Sequence, residues 1–182
     1  MNALHSVSLA EEEILVAELA LLGIHYLSRQ TAYQAQTARP PDVLLVDLVQ
    51  QPSARVRSTV IAVLLSHPEY ADAVPAALRR LQPPERLSLQ SFYLAARLLQ
   101  QEYAHRLRPC QASRWRWLPD LQEASAGLCL PEQGTPRERL NALGSEYGRL
   151  TQTMVNWIGT YEQAARQLLR QWEGERHWNR SL

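Results

Sequence analysis

The stretch "HRLRPCQASRWRW" sets Arg106, Arg108, Arg114 and Arg116 among Trp115 and Trp117. Guanidinium groups neutralise phosphates and indole rings give faces on which unpaired bases stack, so these residue types together could bind a nucleic-acid strand. A second group closes the chain. "RQLLRQWEGERHWNRSL" holds Arg166, Arg170, Arg176, Arg180 and His177 around Trp172 and Trp178. Glu162 and Arg166 stand four apart, the spacing of an ion pair on a helix surface. Trp178 lies beyond the last regular apolar position, and a tryptophan within a basic tail is a common anchor for a protein partner.

The remaining reactive side chains carry less. Eighteen residues separate Cys110 from Cys129, outside the close pairs of structural zinc sites, and both are read as free thiols. His67, before Pro68, and His105 are expected at helix ends. Helix capping accounts for "GTP" at Gly134 to Pro136. The sequence holds no metal-ligand spacing, glycine phosphate loop or nucleophile elbow. No catalytic residue, metal or cofactor is therefore assigned, and the chain is read as non-enzymatic.

All nineteen basic residues are Arg, so an arginine at any one place is not a choice over lysine for bidentate pairing. The formal net charge of +1 gives no global field toward a polyanion or an acidic membrane. Nucleic-acid binding would have to rest on a local patch. "ILVAELALLGIHYL" follows three glutamates, contains Glu18 and falls short of the roughly 20 residues of a bilayer span. A cytoplasmic protein with no membrane partner is expected.

These residues must be positioned by helices. Ser8 with Glu11 has the pattern of a capping box, and a first helix is expected over 8–36, nearly all apolar between Ile14 and Leu27. Its polar exceptions Glu11, Glu18, His25 and Arg29 fall seven, seven and four apart, one narrow stripe on an otherwise buried helix. The residue before a proline avoids helical geometry, so "TARPPD" ends the element. Next the chain repeats itself. Pro52 aligns with Pro83, Arg55 with Arg86 and Val56 with Leu87; after a two-residue slip, "EYA" at 69–71 meets "EYA" at 102–104. Each unit, within 43–106, reads as a short apolar helix, a turn at proline and a longer helix. Such a unit buries its apolar face only by stacking on a neighbour.

The first unit resembles a HEAT repeat. Asp47 and Leu48, the turn "QPSA", Val56 with Arg57, Ala62, and Leu64 with Leu65 carry the resemblance, which covers Val43 to Ala104. It implies antiparallel helix pairs stacked into a binding surface, capped by helices from both ends of the chain. The second unit departs from the pattern, with Leu87 and Ser88 where Val and Arg would stand.

Residues 107–134 hold the prolines and glycines of an irregular connection with a short helix near 118–125, tacked down by Trp115, Trp117, Leu118 and Leu121. Thr135, Pro136 and Glu138 then open a long helix over 135–174. Its apolar positions from Leu140 to Leu168 alternate in spacings of three and four. Gly144, Gly148 and Gly159 mark where it bends or admits a neighbouring backbone, and 175–182 is a tail. Arg170 and His177 resemble the Arg and His pair of the helical ribonucleases called HEPN domains, with Gly174 expected to end the helix between them.

The chain is thus expected to form one all-α domain, with a stack of helix pairs between a buried first helix and a long last one. Its expected role is a protein–protein interaction or adaptor module, binding another protein through Arg55, Arg57, Arg86 and Gln90 with Trp172 and Trp178. The alternative is a nucleic-acid-associated factor, such as a component of a bacterial defence or toxin–antitoxin assembly, using Arg106, Arg108, Arg114, Trp115, Arg116 and Trp117. A HEPN-like ribonuclease is the remote alternative. Monomer and homodimer are both compatible with the pattern.

Overall fold

The structure is a computed structural model that describes residues 3–27, 35, 37–111 and 114–180; for 3–10, 177, 179 and 180 it describes the helix alone. Every regular element among them is helical, so the fold is all-α. None of these helices is long and apolar enough to cross a membrane.

Helix α1 (Ala3–Leu21) begins five residues before Ser8, so the expected capping box lies inside a helix. Serine costs only about half a kcal/mol in a helix interior. The helix also stops far short of 36. Gly23 takes φ +75°, Gly23 N–H donates to Ala20 O at 3.0 Å and Ile24 N–H to Leu19 O at 2.9 Å. That pair of bonds is a Schellman stop, sealed by the fully buried Leu19 and Ile24. Residues 28–34 and 36, with Arg29 of the polar stripe, lie outside the described residues. Glu18 is not a surface residue either. It is buried and accepts from Arg39 through Nε at 2.9 Å and the backbone N–H at 3.2 Å. Arg39 also pairs with Asp47, so one cation ties α1 to α2 and leaves the buried carboxylate compensated.

The paired segments fold as α2 (Pro41–Val49), α3 (Ala54–Arg57) with α4 (Thr59–Ser66), then α5 (Val74–Arg80) with α6 (Pro83–Glu102). Helix α2 packs on α5 and α4 on α6, like on like. Every residue of α4 is buried, and its Thr59 and Ser66 hydroxyls donate to the carbonyls of Val56 and Ala62 at 2.5 and 2.7 Å, which leaves no polar group unpaired there. Each "EYA" sits at a break: 69–71 in a 3-10 turn after α4, 102–104 between α6 and α7 (Ala104–Gln111). Pro109 lies inside α7, so the helix reaches into the segment expected to be irregular. The rest of the connection contains α8 (Gln122–Ser125).

The predicted helix over 135–174 is two helices, α9 (Pro136–Thr151) and α10 (Trp157–Arg180). Its start is as expected, with Thr135 and Glu138 forming a reciprocal capping box. The reversal comes at Gln152, left-handed at φ 53°, where Thr153 N–H donates to Gly148 O at 3.1 Å. The glycines show why the seam folds back on itself. A Cβ on Gly144 would stand 2.8 Å from Ile158 Cγ1, and one on Gly148 would stand 3.3 Å from Thr153 O. Tyr147 and Trp157 close the corner edge to face at 4.6 Å. Gly174 does not end α10, which continues to Arg180.

Gly144→Ala should therefore destabilise the protein by about 1–3 kcal/mol, the cost of overpacking. Thermal denaturation beside Gly144→Ala/Ile158→Ala checks the cause, because shortening Ile158 should relieve the added loss.

Candidate functional site

All four residues expected to face a partner on the helix pairs make hydrogen bonds within the fold. Arg57 Nη1 donates to Gln51 O and Pro52 O at 2.7 and 2.8 Å. Arg86 donates to Leu78 O and Leu81 O, both at 3.0 Å. Each arginine thus reaches from the second helix of its unit to the carbonyls that end the first, where a cation is favoured. Gln90 is buried, its Nε2 donating to Glu123 O at 2.7 Å and Ala126 O at 3.1 Å. Arg55 Nη2 donates to Leu27 O at 3.3 Å, and the residue, exposed like Arg86, lines a shallow groove of about 230 Å³ with Ser58, Thr160, Gln163 and Gln167.

The Arg/Trp connection is divided in the same way. Arg106 pairs with Glu173 of α10 at 2.5 Å, and Arg116 holds Asp72 of the 3-10 turn through two nitrogens at 3.1 and 2.5 Å. These two arginines are committed to acidic residues on different elements, so they do not form a common cationic face. Arg108 lies 5.6 Å from the ring centroid of Trp115, which itself packs on the core. Trp117 does not tack the segment down. It is 50% exposed and meets Trp115 edge to face at 5.1 Å. Arg108 and Arg114 are exposed.

Helix α10 leaves the core after Leu169 yet is held along its overhang. Gln171 accepts from His25 N–H at 2.8 Å and donates to Gly23 O at 2.7 Å. Glu173 takes Arg106, and Arg176 donates to Pro109 O. Trp172 is half-buried against the core, whereas Trp178 is 73% exposed. Arg170 and the backbone of His177 share this unbroken helix, seven positions apart and so on one face by register. The His177 side chain lies outside the described residues.

The structure brings Arg114 and Trp172, from the two separate patches, to one cleft of about 360 Å³. His25, His67, Gln111 and Glu175 line it with them. The His67 ring bonds Leu22 O through Nε2 at 2.9 Å and Glu69 through Nδ1 at 3.0 Å, pinning the turn after α1. Cys110 also lines the cleft, and burial pushes its thiol up, away from the thiolate a nucleophile needs. Burial likewise raises the Tyr93 and Tyr161 phenols above their ordinary range. Among the described residues no group of three or more His, Cys, Asp or Glu could hold a metal ion. Sequence reasoning missed this cleft because its walls come from four separate places, residues 22, 23 and 25, residues 66 and 67, residues 110, 111 and 114, and residues 172 and 175, with no local motif at any of them.

Compared with family models, curated proteins and solved structures, the chain matches none. The reading of its function rests on the geometry.

One electrostatic consequence is measurable. The hydrogen bonds from Arg116 hold the Asp72 carboxyl below its usual range. A depressed carboxylate favours the fold above its unfolded pKa, and that contribution is lost as pH falls through the folded value. In carboxylate-detected NMR, Arg116→Gln should raise the Asp72 titration midpoint toward that of a free aspartate.

Proposed function

We propose that this protein is a non-enzymatic interaction module that docks on another protein through the overhanging end of α10. The observation that carries the reading is the exposure of Trp178 on a helix stapled to the turn after α1 and to α7. A large aromatic side chain on a helix already held in place binds without first being ordered, which suits it to fill a partner's pocket. The like-on-like packing of α2 on α5 and α4 on α6 supports a HEAT-like rigid body behind that anchor. Arg55 and its groove against α10 form the second part of the proposed surface.

The nucleic-acid reading is the weaker one. It keeps Arg108, Arg114 and Trp117 as exposed groups, but Arg106 and Arg116 already face carboxylates, and a polyanion would have to displace Glu173 and Asp72.

A tagged pull-down from the native host, with and without nuclease and followed by mass spectrometry, separates the two readings. A defined protein should stay bound after nuclease, be lost with Trp178→Ala and be retained with Trp117→Ala. Capture that disappears on nuclease treatment and depends on Trp117 would overturn the protein-docking reading.

A further inference from the structure

Gly174 has no role inside the fold. Every other glycine sits at a positive φ, as at Gly23, Gly127 and Gly134, or where a Cβ would stand 3.3 Å or less from a neighbouring atom, as at Gly144, Gly148 and Gly159. Gly174 lies in the unbroken interior of α10, and a Cβ on it would meet nothing within 4 Å. Glycine is the poorest helix former after proline, so alanine would suit α10 better and would fit.

The same residue belongs to one outer face. Thr160, Gln163, Gln167, Gln171, Gly174 and Trp178 recur at spacings of three and four, a single stripe along the helix. It faces away from the buried Ala165 and Leu169 and the half-buried Trp172. None of the six is charged, although α10 also carries Glu162, Arg166, Arg170, Glu173, Glu175 and Arg176. At 1.5 Å per residue the stripe is about 27 Å long. It joins the two parts of the docking surface, since Thr160, Gln163 and Gln167 share a groove with Arg55 at one end and Trp178 stands exposed at the other. One turn before that indole, Gly174 leaves an open notch.

We propose that this face is covered by one α-helix of the partner protein, laid along α10 with a small residue over Gly174 and carboxylates opposite Arg55 and Arg170. The inference rests on the reading of the Trp178 end as a docking surface. A helix satisfies its own backbone, whereas an extended peptide on this face would find side chains and no strand edge to pair with. A missing Cβ lets a second backbone come close. The charge beside the stripe selects the partner's chemistry. Arg166 is held by Glu162, Glu173 by Arg106, and Glu175 lines the cleft on the side of Gln171. Arg170 is exposed one turn beyond Gln167, and Arg55 bonds the carbonyl of Leu27. Neither has a carboxylate partner among the described residues, so the two cations left beside the stripe call for an acidic edge. A second copy of the chain would bring the same arginines and no such edge.

The test compares the full native chain with Gly174→Ala, Gly174→Leu, Arg170→Glu and Trp178→Ala, each tagged and used for nuclease-treated capture from the native host. Gly174→Ala should raise the thermal midpoint, because its methyl meets open space and favours the helix, and should still weaken capture about tenfold; Gly174→Leu should abolish capture. Arg170→Glu should weaken it about tenfold. Photo-crosslinking from p-benzoylphenylalanine at position 167 should label a partner segment with helical periodicity and acidic residues along one edge. Capture lost with Trp178→Ala but undiminished in Gly174→Leu would overturn the helix proposal and leave the docking reading standing, as would crosslinks to an extended or basic segment or to a second copy. Capture retained with Trp178→Ala would overturn both.

Discussion

A connection that crosses a protein's body can be buried only if its backbone polar groups find partners, and here helix α6 supplies them. Gln100, wholly buried, donates to Arg116 O at 2.9 Å and accepts from Leu118 N–H at 2.8 Å. Tyr93 donates to Pro119 O at 2.7 Å, Gln90 reaches the carbonyls of 123 and 126, and Arg97 pairs with Asp120 at 2.8 Å. Residues 90, 93, 97 and 100 form one stripe at helical spacing. Ser88 and Ser91 lie on nearly the opposite face at 3.6 residues per turn, where they meet the hydroxyls of Tyr147 and Tyr161 at 2.7 and 2.6 Å. One helix therefore holds the connection on one side and the α9–α10 hairpin on the other, while its apolar residues pack on α4.

That arrangement decides which surface groups remain for function. With the connection fastened over 116–126, Arg116 reaches Asp72 and Trp115 sits against the core, while Trp117 and Arg108 are left outside. With the hairpin fastened, α10 runs past α4 and α7 until its end stands clear of the core, and the cleft forms where it meets the turn after α1. The arginines divide accordingly between closing helix ends, as Arg57 and Arg86 do, pairing across elements, as Arg39, Arg106 and Arg116 do, and standing exposed. A chain whose only cation is arginine uses one residue type for all three tasks.

What was legible in the sequence was local. The prolines at 52 and 83 and the repeated "EYA" mark the helix pairs, and Thr135, Pro136 and Glu138 mark the start of α9, because each signal lies within a few residues of the structure it makes. Gly23 was equally local, but the apolar run continuing to Leu27 concealed a Schellman stop. The reversal at 152 left a fainter trace, since the left-handed residue is a glutamine and only Gly144 and Gly148 record how closely α10 returns. Gln90 and Gln100 read as surface residues on any helical pattern. Their burial is set by a connection up to 36 residues away, and the cleft depends on contacts across as many as 148.

Hydrogen exchange measured by mass spectrometry on the native protein and on Gln100→Ala tests most directly whether α6 holds the connection. Amides in 116–126 should exchange slowly in the native protein and lose protection in the variant, while α2, α4 and α5 stay protected. Fast exchange of 116–126 in the native protein, or protection unchanged by the substitution, would contradict the account.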